Sequence, residues 1–509
     1  MGAAREAVPL GAVYVGMQGA ISYVTYFLSY AALTRILTPL EVGKLPLLNA
    51  VYAAYQTVTM LGLQFAVVKF TSEFASSGKA GGTLDVVRSS LKLVGVTSVC
   101  GLAIVALLSQ QLSELILGST DAAGLLVLLV LSDLVSNFGA IFVSVLWGLS
   151  SFRKMVASNL AGTLLGRISG ILLAWVGFGL LGFVAGWVIG YAMALALAIL
   201  FVRPHLTMRG HLVAAREMLE YSYPILLSSL VGLVLNWADV AILFALSRNF
   251  INTGIYYLGF AGSGILSLFA TALTWAIFPT LSALFGRGET EPFKEVLRSS
   301  QRLLAMVIMP TGAALATVAS TAVTLAYGRA YYGAAAPFAI LVASSILPAY
   351  LSLMTFSLLA IGRTNAMIRI SGAAALTEIA LTITLVPQLN VVGSAVARAA
   401  MSAVGLLVSY VYVRGLWWPK IERTSLAKSS MLTALVVVVL FAFDSVAIRE
   451  MRTSSLGRGL LDVVVFLLVY ADGLFLLKPL VPRDIEMLGA VLPVRLQGWL
   501  PFIQRWLVA

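Results

Sequence analysis

Five ionisable side chains stand in the middle of long apolar runs: Asp133, Arg167, Asp239, Glu378 and Arg398. A charge placed in hydrocarbon is expensive, so each needs a partner or a task. Asp133 and Arg167 fall in consecutive runs at similar depth. Glu378 and Arg398 do the same, with a depth difference of about two to four residues, roughly 3–6 Å of helical rise. Two readings are open for these four residues. Each couple is a structural ion pair, or the arginines face a cavity and hold a phosphate, a task suited to the planar guanidinium fork. Asp239 has no cation near it in sequence and lies on a polar stripe. It is the candidate for a titrating or ion-binding carboxylate, with H+ or Na+ as the coupling ion; the plain alternative is a buried, hydrogen-bonded aspartate. Asp472, in the last apolar run, has no assigned role.

Uncharged polar residues recur at spacings of three and four, which places each set on one helix face. One stripe is Tyr14, Gln18, Ser22, Tyr26 and Ser29; a second is Asn49, Tyr52, Gln56 and Thr59. A third is Ser229, Asn236 and Asp239, and a fourth is Ser263, Ser267, Thr271 and Thr274. Ser and Thr commonly bond one membrane helix to another. Taken together, the four stripes predict that spans 1, 2, 7 and 8 line a wet cavity where a substrate sits. Tyr14, Tyr23, Tyr26 and Tyr52 either stack on sugars or pack against neighbours.

Catalytic and metal signatures are missing from the sequence. With one cysteine, Cys100, and two histidines, His205 and His211, a His/Cys metal centre is not expected. Gly177-Phe178-Gly179-Leu180-Leu181-Gly182 matches G-x-G-x-x-G, but it joins two apolar runs with no strand before it and reads as a tight outer turn. No Walker loop, H-E-x-x-H or G-x-S-x-G occurs. A membrane-embedded glycan polymerase or ligase would need a convergent acidic or basic set outside the membrane. Glu41, Glu114, Asp121 and Glu450 do not supply one, so the chain is read as a non-enzyme without a cofactor.

The elements that position these residues follow from composition. The chain has 509 residues, 60% of them hydrophobic and 11% charged, with a mean hydropathy of +0.98. Soluble domains carry about 25% charged residues, so a soluble enzyme is excluded. The fold class is an all-α polytopic membrane protein with about fourteen transmembrane helices. The predicted spans are 10–34, 45–68, 92–110, 123–148, 155–177, 180–202, 222–247, 254–280, 300–325, 335–361, 364–387, 391–413, 428–447 and 459–480. The first run is too long for a signal peptide and lacks a cleavage site, so it is expected to stay as span 1. Of the 33 Lys and Arg, 24 fall on one side of this topology, seven on the other, and Arg167 and Arg398 within spans. That bias puts both termini in the cytoplasm of a multi-pass plasma-membrane protein. The net charge of +12 then faces anionic inner-leaflet lipid rather than nucleic acid.

A shift of 211 residues lays spans 1–6 on spans 7–12. Gly43 falls on Gly254, Phe74 on Phe285, Gly182 on Gly393, Arg203 on Arg414, and Arg167 on Glu378. Six spans per copy give a parallel repeat of two lobes. The expected organisation is a six-helix lobe at 1–203, a cytoplasmic linker at 204–221 and a second six-helix lobe at 222–415. Helices 13 and 14 follow at 416–483, then an interfacial tail at 484–509, for which an unstructured tail is the alternative.

The order of several loose motifs resembles the polysaccharide flippase branch of the multidrug/oligosaccharidyl-lipid/polysaccharide exporter superfamily. Arg35-Ile36-Leu37-Thr38-Pro39-Leu40-Glu41-Val42-Gly43 resembles that branch's R-x-L-x-P-x-x-x-G turn after helix 1. Tyr221-Ser222-Tyr223-Pro224 through Asp239 resembles its helix 7, Phe278-Pro279-Thr280-Leu281-Ser282 the end of its helix 8, and Asn390-Val391-Val392-Gly393 with Ala395 the entry to its helix 12. The resemblance covers roughly residues 10–480 and implies two six-helix lobes in a V with two extra helices. It implies flipping of a polyprenyl- or dolichyl-linked oligosaccharide by alternating access, with basic cavity residues for the lipid phosphate. The helix 1 arginines of the lipid II flippase subgroup have no match between Tyr14 and Ser29. The expected partner is a lipid-linked glycan and the expected state a monomer. A cation-coupled multidrug antiporter using Asp239 is the alternative.

Overall fold

The computed structural model describes residues 2–76, 82–206, 215–414, 423–450, 455–478, 481 and 484. Among them no strand occurs, and nearly all are helical. Helix is the form in which an apolar segment satisfies every backbone polar group within itself. In chain order the α-helices are α1 Gly2–Ile36, α2 Pro39–Met60, α3 Leu63–Ser76, α4 Gly82–Leu107, α5 Ser109–Leu117, α6 Ala123–Gly148, α7 Phe152–Leu173, α8 Gly179–Val202, α9 Ala215–Ser247 and α10 Phe250–Ser263. They continue with α11 Ile265–Gly286, α12 Thr290–Thr317, α13 Ala319–Tyr327, α14 Ala335–Ala343, α15 Ile346–Ala360, α16 Thr364–Leu389, α17 Val391–Arg414, α18 Arg423–Glu450 and α19 Ser455–Leu477.

Nine stretches of the described residues are long and apolar enough to cross a membrane, or up to twelve if each bent pair is one span. One of the nine, Phe152–His205, contains a reversal and is two spans. Adding α1, whose Tyr- and Gln-rich stripe lowers its hydropathy, all fourteen predicted positions carry helix. Three of them are bent: α2/α3 by 46°, α12/α13 by 76° and α14/α15 by 42°. At the first bend Leu61 and Gly62 take φ of 53° and 74°, which ends α2 in a left-handed turn. The start of α2 is fixed by a capping box: Thr38 Oγ1 accepts from the Glu41 amide at 3.3 Å, and the Glu41 carboxylate accepts from the Thr38 amide at 3.0 Å.

The chain folds into two compact units, 1–241 with 249–254, and 242–248 with 255–509. In the first unit the core runs through Leu63, Val67, Val86, Ile141, Val145, Met155 and Met218. α9 begins at Ala215, ahead of the expected 222, with Arg216 and Glu220 paired one turn apart at 2.7 Å. Its residues up to Ala241 belong to this unit, although the repeat groups span 7 with the second lobe. The physical reason is close packing. A Cβ at Gly62 would lie 3.0 Å from the Ser222 carbonyl oxygen, and Tyr221 packs on Phe70 and under Lys69.

α7 and α8 form an antiparallel hairpin whose glycines face one another. Gly162, Gly166 and Gly170 of α7 oppose Gly190, Gly186 and Phe183 of α8, so the backbones touch. The turn between them relies on Gly177 and Gly179, with φ of 115° and 53°. This is the tight turn predicted for the G-x-G-x-x-G segment.

In the second unit Leu281, Leu304, Ile308, Leu353, Leu358, Val413 and Leu432 form the core. α18 and α19, outside the repeat, pack on α12, α13 and each other, and the Tyr470 hydroxyl donates to the Met306 carbonyl at 3.2 Å. Residues 207–214 of the linker and all of the tail beyond Asp484 lie outside the described residues.

Candidate functional site

The close α7–α8 backbones set the side chains next to their glycines against each other. Arg167 follows Gly166, and Trp187 follows Gly186. The Arg167 guanidinium carbon lies 5.1 Å from the Tyr26 ring centroid, 5.4 Å from Phe183 and 5.5 Å from Trp187. Its Nη1 is buried and meets no hydrogen-bond acceptor. Around this cage Tyr26 packs on Tyr30 at 4.7 Å, and the Asn49 amide donates to the Tyr30 hydroxyl at 2.7 Å. Tyr52 meets Trp187 edge-on at 5.7 Å and lies parallel to Tyr191 at 6.0 Å. The Gln56 amide donates to the Tyr52 hydroxyl at 3.3 Å and reaches Ser136 at 3.5 Å.

Of the two readings open for Asp133 and Arg167, the ion pair does not form among the described residues. Both sit at the expected depth, but their helices turn them in different directions. Asp133 on α6 faces α2 and α4. Its Oδ2 accepts from the Thr59 hydroxyl at 3.1 Å and from the Asn137 amide at 2.8 Å, and Ser98 Oγ lies 3.2 Å from the same amide. Arg167 faces α1 and α8 instead. A guanidinium is weakly hydrated and stacks well on rings, so aromatic faces hold it without a carboxylate.

The predicted Glu378–Arg398 pair does form. Arg398 Nη1 lies 3.3 Å from Glu378 Oε1, with both side chains buried, and its guanidinium carbon sits 4.2 Å from the Phe260 ring centroid. The 211-residue offset explains what the sequence reading missed. Arg398 is the repeat counterpart of Trp187, just as Glu378 is that of Arg167. The same two positions therefore meet in each half, as cation on aromatic ring in one and as salt bridge in the other.

The remaining stripe residues divide by helix. On α1 and α2, Gln18 accepts from Asn159 at 3.4 Å, Tyr14 packs on the first core, Ser22 is half-buried, and Asn49 and Gln56 bond as above. Asp239 is fully buried, and its Oδ1 accepts from the Val240 amide at 2.8 Å. Asn236 is exposed and donates to the Gly232 carbonyl at 2.7 Å. On α10 and α11, Ser263 and Ser267 donate to Phe260 and Gly264 carbonyls of their own turns, Thr271 is exposed, and Thr274 is buried on the Ala270 carbonyl. Arg302, counted from sequence as a loop charge, is buried instead and bonds Asp484 at 2.8 Å and Ser299 at 2.8 Å.

A family profile described as "Polysaccharide biosynthesis protein" matches residues 32–336, more than half of the chain and all of the arginine cage except Tyr26 and Tyr30. The chain belongs to this family. This polysaccharide biosynthesis protein is 22% identical over 281 residues to the probable low-salt glycan biosynthesis flippase Agl15 of Haloferax volcanii, covering 55% of this chain and 58% of that one. It is 25% identical over 339 residues to the probable flippase AglR of the same organism, covering 61% and 68%. The match therefore spans little more than half the length of the first relative. Its fold is that of the lipid II flippase MurJ in an inward closed conformation (TM-score 0.68, 13% identity, 91% of this chain and 97% of that one). An inward-facing MATE family multidrug transporter shares it too (TM-score 0.64, 12% identity, 80% and 98%).

Proposed function

We propose that the protein is a flippase that carries a polyprenyl- or dolichyl-linked oligosaccharide across the cell membrane by alternating access, for polysaccharide or glycan biosynthesis. The observation that carries this reading is Arg167, a half-buried cation with a buried Nη1 that lacks an acceptor, ringed by aromatic side chains. A lipid-linked glycan brings a phosphate for the guanidinium and sugar faces for rings such as Tyr26 and Tyr52. The family and the named flippase relatives support the same reading, which is transport and not enzymatic chemistry. The protein is taken to work as a monomer, without cofactor or nucleic acid, in contact with anionic inner-leaflet lipid.

The test is flipping in reconstituted vesicles, followed with a fluorescent polyprenyl-pyrophosphate oligosaccharide. Losing one charge-assisted hydrogen bond is worth about 1.5–3 kcal/mol, so Arg167→Ala is expected to slow flipping about ten- to hundredfold. Asp239→Asn keeps size and hydrogen bonding but cannot ionise, and is expected to abolish acceleration by an imposed H+ or Na+ gradient. Wild-type vesicles that flip no such lipid but exchange a cationic drug for H+ or Na+ would favour the antiporter, to which the fold likeness to the MATE transporter lends support.

Both termini and the 203–221 segment are assigned to the cytoplasm from the 24-to-7 distribution of Lys and Arg. Cysteines placed at positions 209 and 452 are expected to label from inside and outside respectively. Labelling of position 209 from outside intact cells would reverse the orientation.

A further inference from the structure

The absence of an Arg167 partner leaves the Asp133 carboxyl group without a counter-charge in the interior of the first unit. Its side chain is 0% exposed. Donors serve only one of its oxygens: Thr59 and Asn137 bond Oδ2, while Oδ1 is buried without a partner. Asn137, one turn along α6 and also 0% exposed, has its amide nitrogen engaged and its carbonyl Oδ1 likewise buried without a partner. Two neighbouring side chains thus each hold an unused oxygen in the same packed α2–α4–α6 interior, and no basic group lies within ion-pair distance of Asp133 among the described residues. A buried carboxylate in apolar surroundings requires compensation.

We propose that Asp133 and Asn137 form a site for a single dehydrated sodium ion, held by Asp133 Oδ1 and Asn137 Oδ1, the two oxygens left over once the Asn137 amide nitrogen has bonded Thr59, Ser98 and Asp133 Oδ2. The donor set is all oxygen, as a hard cation requires. One carboxylate matches one positive charge. Among the described residues no three His, Cys, Asp or Glu converge, so a divalent or transition ion would be left under-compensated. Complete burial leaves no place for a hydration shell, which selects a small ion able to exchange water for protein oxygens. The titratable groups around the carboxylate are the Tyr52 and Tyr55 phenols of α2 and the Tyr191 phenol of α8. None supplies positive charge. The site belongs to the first half alone: at the 211 offset Thr59, Ser98, Asp133 and Asn137 become Ala270, Met309, Ser344 and Pro348. It is also separate from Asp239 and independent of which substrate the protein carries.

The experiment is thermal unfolding of the purified full chain in detergent, titrated with NaCl at constant ionic strength against KCl and choline chloride. An ion that binds only the folded state raises Tm with its concentration. The wild type is expected to show a saturable, sodium-selective rise in Tm. Asp133→Asn and Asn137→Ala are each expected to weaken the apparent sodium affinity by about tenfold or more. Should Asp133→Asn fail to fold, Asn137→Ala, which removes a ligand oxygen but keeps the charge, carries the test. The proposal is overturned if sodium gives no rise beyond potassium and choline. It is also overturned if the sodium response persists in both variants, or if only acidification stabilises the protein, since a proton would then fill the role. No substrate or transport is involved, so the outcome stands apart from that of the flipping assay.

Discussion

Alanine at Glu378 is expected to leave little folded protein. The carboxylate is fully buried, and its removal strands the Arg398 guanidinium between α16 and α17. Breaking one side of a buried pair costs about 3–5 kcal/mol, a large share of the roughly 5–15 kcal/mol that holds a domain together. Arg398→Ala is expected to do comparable damage by stranding Glu378. The double variant Glu378→Ala/Arg398→Ala leaves no uncompensated charge and is expected to recover part of the loss, an interaction energy readable from a thermal double-mutant cycle in detergent. Strict additivity of the two single losses would mean that the pair is not energetically coupled. Arg167→Ala strands no carboxylate. It forfeits ring contacts worth about 2 kcal/mol, and its folded yield should stay well above that of Glu378→Ala.

The second large effect is expected at Gly186. A Cβ there would overlap the backbone nitrogen and Cα of Gly170 and press on the carbonyl oxygen of Gly166. These atoms belong to a neighbouring helix backbone and cannot rotate away as a side chain could. Overpacking usually costs about 1–3 kcal/mol, and backbone overlap along a hairpin places Gly186→Val at or beyond the upper end. The helices would have to part, drawing Trp187 away from Arg167. Monodisperse protein on size-exclusion chromatography is expected to be almost absent for Gly186→Val and sharply reduced for Gly186→Ala. Gly19→Ala is the matched control, because nothing lies within 4 Å of its Cβ position. Equal yields for Gly186→Val and Gly19→Ala would show that α7 and α8 do not depend on glycine contact.

Apolar run length carried most of the helical layout, because each span must bury its own backbone polarity. The bends were not visible, since Leu61 takes a left-handed conformation that leucine does not advertise. Depth along a helix follows from counting residues, which is how Glu378 and Arg398 could be matched. Rotation about the helix axis does not follow from depth, and that is why depth alone leaves an Asp133–Arg167 pair and a separate Arg167 equally open. The repeat offset held the missing signal. Arg398 maps to Trp187, so the contact between positions 378 and 398 points to a contact between 167 and 187. The polar stripes were legible as faces, but not which of them would bond across helices, as Asn49 and Gln56 do, and which would bond their own turn, as Ser263 and Ser267 do.

Stacking Arg167 on rings has an electrical consequence. A guanidinium does not lose its proton at any physiological pH, so α7 carries a permanent elementary charge within its apolar length. The salt-bridged Glu378 and Arg398 cancel, and α16 with α17 carries none from that pair. The transmembrane voltage acts on a charge at about 2.3 kcal/mol per 100 mV when the full field is crossed. Displacement of α7 along the membrane normal is therefore weighted by the resting potential, while the same displacement of the paired helices is nearly blind to it. In a cell whose interior is negative, the weighting draws Arg167 inward and resists its outward stroke, unless an anionic headgroup travels with it.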